Sequence, residues 1–258
     1  PCKSWVEFSK KEDGKNFYSQ LPRKAYASQD GLCCVDTLHR VTITGLEKNT
    51  TYFYRVLSQE VKELLPYRPV LGNIVSTDIW EKPLTFTTLD GRQETLSIVM
   101  INDIHGKNDL QKKLLEMAPP QNVDMVVFCG DMCNYINKQS DIFTGFLDTS
   151  VGLFASRKPF VYVRGNHETR GAYARNFFRY LAGPEGKFYY AFTYGPIRFI
   201  VLDSGEDKPD TDVEYSGLVD FDNYILEQKE WLARELESPE FRAASFRVVL
   251  SHIPFGKG

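Results

Sequence analysis

The chain has 258 residues, of which 42% are hydrophobic and 25% charged, a composition typical of globular proteins. A length of this order predicts about two domains. The formal net charge of −3 argues against a nucleic-acid-binding platform, because such surfaces depend on positive charge. The sequence contains no apolar run near the ~20 residues of a membrane span. Its five cysteines are too sparse for a disulfide scaffold.

Residues 1–92 are predicted to form a small all-β domain. Strand-like segments lie at 5–8, 39–44, 51–57 and 84–88. Short strands at close spacing, without a strong helical pattern between them, favour a β-sandwich. The polar residues 90–94 are predicted to link this domain to a second one.

From residue 95 to residue 258 the pattern changes to strands that alternate with helices. Helices are predicted over 109–118, 140–156, 172–182 and 223–236, and a pair of strands over 188–194 and 197–202. Alternation of this kind predicts an α/β domain, with helices on the faces of a sheet.

Four predicted strands of this second domain end in residues that bind metals or transfer protons. The apolar segments 96–101, 123–129, 159–163 and 246–250 are followed, in this order, by Asp103 and His105, by Asp131, by Asn166 and His167, and by His252. Open α/β sheets bind their ligands at the carboxyl ends of the strands. We therefore expect these six side chains to meet at one edge of one sheet.

The residue types at these strand ends suit a metal centre. Asp103 and His105 are two residues apart, so on an extended segment both side chains point the same way. The carboxylate of Asp131 has two oxygens and can bridge two ions. A pair of ions about 3.5–4 Å apart suits the hydrolysis of phosphate esters. His167 is placed to protonate a leaving oxygen, and Glu168 either orients His167 or caps residues 169–171.

Three charged residues near these strand ends have structural alternatives. Arg164 and Arg170 flank the Asn-His-Glu sequence, and each either binds phosphate or forms a structural ion pair. Asp203 also follows an apolar strand, but a role in the turn 203–205 is favoured over metal binding.

The motifs match, in order, those of the calcineurin-like metallophosphoesterase superfamily: Asp-x-His, Gly-Asp, Gly-Asn-His-Glu and a lone His after a strand. With the preceding β-rich segment, in which residues 39–56 resemble fibronectin type III strands, the chain most resembles purple acid phosphatase-like enzymes. The resemblance implies an α/β (α+β) metallophosphoesterase sandwich domain at 95–258, preceded by a truncated fibronectin type III-like domain at 1–92.

The resemblance also implies the ligands and their roles. Asp103, His105 and Asp131 would hold the first metal, and Asp131, Asn166 and His252 the second. His167 would be the general acid or a phosphate-binding group, and Asp131 would be catalytic as the bridging ligand. Two ions of Fe, Zn or Mn, a small phosphorylated substrate and a periplasmic or secreted location are expected on the same basis.

The sequence departs from the purple acid phosphatase pattern at two places. Asn134 stands where those enzymes have a tyrosinate ligand, and Tyr135 follows it, so a ferric–tyrosinate centre is not expected. The terminal Gly-His-x-His motif of the family does not occur before residue 258. We therefore expect the chain to be a fragment at both ends, without the first sandwich strands and without the terminal histidines.

The sequence leaves three functions open. The first is a phosphomonoesterase with a dinuclear centre, and the second is a phosphodiesterase or nucleotidase at the same site. The metal ions perform the chemistry common to both, while the surrounding loops choose the substrate. The third is a non-catalytic binding protein, which would apply if the terminal histidine motif were truly absent.

Overall fold

The computed structural model describes residues 1–10, 17–19, 21–90 and 94–255. The chain divides into two compact units, Pro1–Asp90 and Gly91–Gly258, and each is described by itself. Within the predicted linker, residues 91–93 lie outside the described residues, as do residues 256–258 of the second predicted domain.

The first unit is all-β, as the sequence predicts. Its strands are β1 (Cys2–Ser9), β2 (Arg23–Tyr26), β3 (Ser28–Gln29), β4 (Leu32–Cys33), β5 (Thr51–Glu63), β6 (Val70–Ser76) and β7 (Leu84–Thr87). Five of them form an antiparallel sheet in the order β2-β1-β5-β6, with β7 beside β5, and β3 pairs with β4 in a separate ribbon.

The predicted strand at 39–44 is not a strand in the described structure. Val41 and Ile43 pack against the buried core of this unit, which includes Phe8 and Tyr52, and this packing explains their alternation with polar residues. The carbonyl of Thr44 accepts a hydrogen bond at 2.7 Å from the side chain of Arg23 in β2 rather than from the backbone of a paired strand. Alternation of apolar and polar residues indicates that one face of a segment is buried, but it does not show that the segment pairs with another strand.

Among the residues described for the second unit, the strands form two three-stranded sheets rather than one sheet. Its strands are β8 (Ile98–Ile101), β9 (Met125–Cys129), β10 (Phe160–Val163), β11 (Tyr190–Tyr194), β12 (Ile197–Val201) and β13 (Phe246–Leu250). One sheet is parallel in the order β10-β9-β8, and the other has the order β11-β12-β13, with β13 parallel to β12. The expectation of one shared sheet edge was therefore wrong, because side-chain periodicity does not specify which strands pair.

Helices and helical turns surround these sheets. They are Asn108–Met117, Pro120–Asn122, the run Gln139–Ile142, Phe143–Leu147, Asp148–Ser150 and Val151–Ala155, then Asn166–Thr169, Ala174–Asn176, Phe178–Leu181, Pro184–Gly186, Val213–Tyr215, Phe221–Leu236 and Pro239–Ala243. The single helix predicted over 172–182 was wrong. The N–H of Phe177 bonds to the carbonyl of Ala174 at 2.9 Å, and this tight turn interrupts the α-helical pattern.

An aromatic cluster fixes the central strand β9. All five residues of β9 are buried, as expected for a parallel strand covered on both faces. The Phe128 ring lies 5.8 Å from Phe146, 6.0 Å from Phe154 and 5.1 Å from Phe160, measured between centroids. Burial of each such ring contributes about 1.5–3 kcal/mol. The turn that follows β9 therefore starts from a rigid support.

Candidate metal centre

The carboxylate of Asp131, just after β9, lies at the centre of the site. Its Oδ2 atom is 3.3 Å from Nε2 of His252, 3.8 Å from Nε2 of His167 and 3.9 Å from Nε2 of His105. Asp131 is 3% exposed, so this oxygen is largely withdrawn from bulk water. Three imidazole nitrogens from different segments thus face one buried carboxylate oxygen.

The potential ligand atoms form two overlapping groups. His105, Asp131 and His167 make one, and Asp103, Asp131 and His252 make the other, with the ligand atoms of each group within 4.8 Å of one another. Asp103 Oδ1 also lies 3.7 Å from Nε2 of His105, so the two groups adjoin. The sequence predicts all five of these residues for the site, but with His167 as the general acid or a phosphate-binding group, whereas in the structure His167 lies in a potential ligand group with His105 and Asp131.

Asn166 begins a tight turn directly after β10 and is 6% exposed. The N–H of His167 donates to Oδ1 of Asp131 at 3.0 Å, which holds the peptide between Asn166 and His167 against the central carboxylate. Thr169 Oγ1 donates to the carbonyl of Asn166 at 2.7 Å and closes the turn. The backbone at Asn166 therefore lies beside the Asp131 carboxylate, and the role of the Asn166 side chain as a ligand stays a prediction.

Three residues of the site have backbone angles that are unusual for a residue with a side chain. The φ angles of Asp103, His105 and Asp131 are 54°, 51° and 55°, in the left-handed region. The two loops hold each other in this shape, since the N–H of His105 donates to the carbonyl of Asp131 at 2.9 Å and that of Asp103 to the carbonyl of Gly130 at 3.1 Å. Such conformations cost about 1–3 kcal/mol each and cluster at functional sites.

Glu168 fixes the loops beneath the centre. Its buried carboxylate accepts N–H hydrogen bonds from Asp131, Cys133 and Gly165, each at 2.9 Å. Burial raises the pKa of the Glu168 carboxyl, and the N–H donors oppose that rise. The N–H of Gly165 starts the turn that contains Glu168, so the acid caps its own turn. In the described structure its hydrogen bonds go neither to the His167 ring nor to residues 169–171, and both expectations were wrong.

Two glycines allow the close approaches on which the site depends. A Cβ on Gly130, whose φ is +84°, would lie 2.5 Å from the ring of His252. A Cβ on Gly165 would lie 2.5 Å from the backbone nitrogen of Asp131. Both separations are below any normal contact distance, so side chains at these positions would displace a ligand.

Backbone carbonyls orient two of the imidazoles. Nδ1 of His252 lies 2.7 Å from the carbonyl of Cys129, and Nδ1 of His167 lies 2.8 Å from the carbonyl of Asn134. A carbonyl only accepts hydrogen bonds, so each Nδ1 carries the proton. Both Nε2 atoms then face Asp131, an arrangement that fixes the tautomer of metal-binding histidines.

The charges of Asp131 and His252 are coupled. Burial alone would raise the pKa of the Asp131 carboxyl, but hydrogen bonds from the His252 ring and the His167 N–H hold the pKa below its ordinary value. Burial alone would lower the pKa of His252, whereas the hydrogen bonds to Asp131 and Cys129 raise that pKa to about 9. Without a metal ion, a proton on His252 thus neutralises part of the negative charge.

The residues present fit transition-metal ions. Imidazole and carboxylate groups together suit Zn, Mn and Fe. Nδ1 of His105 is buried and has no hydrogen-bond partner among the described residues, while Nε2 of the same ring faces the carboxylates of Asp103 and Asp131 at 3.7 and 3.9 Å. The Asp103 side chain is 51% exposed, which leaves the centre accessible from one side.

The flanking charges form structural pairs. Arg164 lies 2.7 Å from the fully buried Asp203, whose other oxygen accepts the N–H of Gly205 at 3.0 Å. The predicted turn role of Asp203 is confirmed. Arg170 pairs with Glu206 at 2.7 Å and also contacts His167. Glu206 was missed in the sequence because no motif marks it, and only tertiary contact brings it to Arg170.

This arrangement of carboxylates and imidazoles at the ends of buried strands defines a metal-dependent hydrolase domain, and it shares a chain with a separate all-β unit. The sequence profile of the calcineurin-like phosphoesterase family matches residues 96–258, more than half of the chain. The chain belongs to that family. The profile of the purple acid phosphatase N-terminal domain matches residues 1–88. No curated protein matched the chain.

The two family matches define the reaction class. The protein is a phosphoric ester hydrolase, and its activity depends on divalent metal ions. Among the described residues, no helix combines the length and the apolar character that crossing a membrane requires.

Proposed function

We propose that the protein is a phosphomonoesterase that uses two metal ions. The observation that supports this most directly is the position of Asp131 Oδ2, which lies within 4 Å of three histidine Nε2 atoms. A single carboxylate between two groups of ligands is the arrangement that a bridged pair of ions requires.

Each residue has a distinct role in this proposal. Asp131 would hold both ions, Asp103 and His105 would complete the ligands of the first, and Asn166 and His252 would complete those of the second. When bound, the ions supply an activated water and stabilise the charge that develops on the phosphoryl oxygens.

In this proposal His167 acts on the substrate, the role that the superfamily pattern implies, and its Nε2 atom also lies within one of the two groups of potential ligand atoms. Its Nε2 atom lies 3.8 Å from Asp131, at the rim of the centre. Because Nδ1 holds the ring proton, Nε2 must take up a second proton before His167 can act as a general acid, a role that contributes typically about 10²–10⁴-fold to the rate.

The substrate proposed is a small phosphorylated molecule in an extracytoplasmic compartment. The exposure of Asp103 admits a ligand from one side of the centre. The location is inferred from the match of the first unit to the purple acid phosphatase N-terminal domain, since enzymes of that family are secreted.

The test compares an aryl phosphate monoester with the corresponding diester. Metal-free protein is supplied with Mn²⁺, Zn²⁺ or Fe, and bound metal is counted in parallel. We expect hydrolysis of the monoester to exceed that of the diester, with about two ions bound per chain. A preference for the diester would contradict the monoesterase proposal, and one ion per active chain would contradict the dinuclear centre.

A further inference from the structure

Arg170 lies next to the centre without belonging to any of the predicted ligand sets. Its Nη1 atom is 3.2 Å from Nε2 of His167, the same nitrogen that lies 3.8 Å from Asp131 Oδ2. Since Nδ1 of His167 donates to the carbonyl of Asn134, Nε2 is the acceptor in this contact. The guanidinium thus reaches the ring that faces the phosphoryl group.

Glu206 holds Arg170 in this position. Nε of Arg170 donates to Oε1 of Glu206 at 3.0 Å, and Nη2 donates to Oε2 at 2.7 Å, so the pair is bidentate. The Glu206 side chain is 2% exposed, and Thr169 Oγ1 lies 2.6 Å from Oε1, which is a second acceptor within reach of its single O–H. A buried carboxylate with several donors keeps the planar guanidinium in one orientation.

The acidic partners of the Arg170 guanidinium bind Nε and Nη2, and they leave Nη1 next to His167. Nε and Nη2 are held by Glu206, with a further contact from Nη2 to Asp207 at 3.3 Å. Nη1 has two N–H groups, and in the described structure it makes one contact, to His167. The Arg170 side chain is 30% exposed, so a ligand can approach it.

We propose that Arg170 binds a terminal oxygen of the substrate phosphoryl group through Nη1, and that Glu206 positions it. The proposal rests on the phosphomonoesterase function and extends it to substrate selection. A phosphate monoester has three terminal oxygens and a diester has two. If two terminal oxygens of the substrate were held by the ions, only the monoester would offer a third terminal oxygen to Arg170. Arg170 is therefore a determinant of monoester specificity.

Arg175 provides a matched control. It lines the same cavity of about 460 Å³ as Arg170 and Glu206. Its Nη2 atom donates to the carbonyl of Leu218 at 3.1 Å, away from the His167 ring. Replacement of Arg175 thus removes an equal charge from the same cavity without removing the proposed contact.

The experiment uses the metal-loaded protein with the variants R170Q and R175Q. Kinetics with an aryl monoester and an aryl diester are combined with calorimetric binding of inorganic phosphate. We expect R170Q to lower kcat/KM for the monoester and the affinity for phosphate by about 10–100-fold, the size of one charge-assisted hydrogen bond. Diester hydrolysis by R170Q and all properties of R175Q should change by less than about 3-fold.

A second pair of variants tests the positioning role of Glu206. E206Q should weaken phosphate binding in the native background and have no further effect in the R170Q background. A purely structural role would give additive losses instead. R170K retains the charge but lacks the guanidinium group that Glu206 binds, so it should show the same loss of monoester hydrolysis. R170K replaces R170Q in the experiment if R170Q does not fold.

The outcomes separate this proposal from the phosphomonoesterase function. If R170Q lost the same activity on both esters, or if R170Q and R175Q lost the same activity, the role of Arg170 would be overturned. Hydrolysis of the monoester by the native protein would still support the phosphomonoesterase function. If the native protein hydrolyses neither ester, the function fails. In that case the Arg170 proposal stands only if R170Q weakens phosphate binding and R175Q does not. Native protein that binds no phosphate would overturn both the phosphomonoesterase function and the role of Arg170.

Discussion

The two oxygens of Asp131 have different partners. Oδ1 accepts the N–H of His167 at 3.0 Å and is thereby fixed to the loop after β10. Oδ2 faces three imidazoles and is the atom through which two ions would be joined. The orientation of Asp131 is therefore set by the protein before a metal ion arrives.

Replacement of Asp131 should cost more than replacement of His167. Asp131→Asn removes the charge that both ions share, and we expect metal affinity and activity to fall more than about 100-fold, beyond the effect of a supporting group. His167→Ala should retain its metal. Its rate should fall about 10²–10⁴-fold on a substrate with a poor leaving group, and by less on an activated aryl phosphate. Equal losses on the aryl phosphate, with unchanged metal content in both variants, would contradict this division of roles.

Metal uptake should release a proton from His252. Its pKa of about 9 in the metal-free protein means that Nε2 carries a proton at neutral pH, and a metal must displace that proton. Affinity should therefore increase with pH up to about 9 and then level off. In the metal-free protein the stabilisation by this proton is complete below the ordinary histidine pKa and is lost as the pH rises through about 9.

Calorimetry at pH 7 in two buffers with different ionisation enthalpies measures the number of protons released. We expect about one proton more from the native protein than from His252→Gln. Asp131 should not contribute, because its lowered pKa keeps it ionised. The same proton release from both proteins would refute the assignment to His252.

At the scale of elements, the loops after β8, β9 and β10 act as one unit. The sequence predicts their chemistry because each motif is local, directly after an apolar strand. It could not predict that His252 arrives from a second sheet, because strand pairing is decided by contacts distant in sequence. The contacts of Glu168 and Glu206 were missed for the same reason, since each acid meets partners from another loop.

Gly130→Ala should damage the centre more than the fold. The new methyl group would collide with His252, and its positive φ would add about 1–2 kcal/mol of strain. Gly217→Ala is the control, because its φ of +69° imposes similar strain while a Cβ there meets nothing within 4 Å. We expect both variants to lose similar stability in thermal unfolding, and Gly130→Ala alone to lose metal affinity. Equal metal affinity in the two variants would contradict the role of the glycine.

Glu168→Gln should destabilise the second unit by about 1–3 kcal/mol, because the amide turns a donor towards buried backbone N–H groups. Asp141→Asn is the matched control. Asp141 accepts N–H groups of Asn137 and Lys138 at 2.9 and 3.0 Å, but these bonds are exposed and water replaces them. Denaturant unfolding should show a clearly larger loss for Glu168→Gln, and similar losses for both variants would argue against Glu168 as the buried support of the loops.

For the whole molecule, the sequence predicts two units of different class and the content of each. The all-β character of the first follows from its short strands, although 39–44 lacked a partner strand and polar strands such as β2 gave no signal. The α/β character of the second follows from its alternating pattern. Its division into two sheets and the buried ion pair of Arg164 with Asp203 depend on the complete fold.

The most direct test of the central claim is a crystal structure of the metal-loaded protein with anomalous diffraction at the metal absorption edge. A dinuclear centre bridged by Asp131 should give two peaks about 3.5–4 Å apart, both within bonding distance of the Asp131 carboxylate. A single peak, or two peaks of which only one contacts Asp131, would contradict a dinuclear centre bridged by this residue.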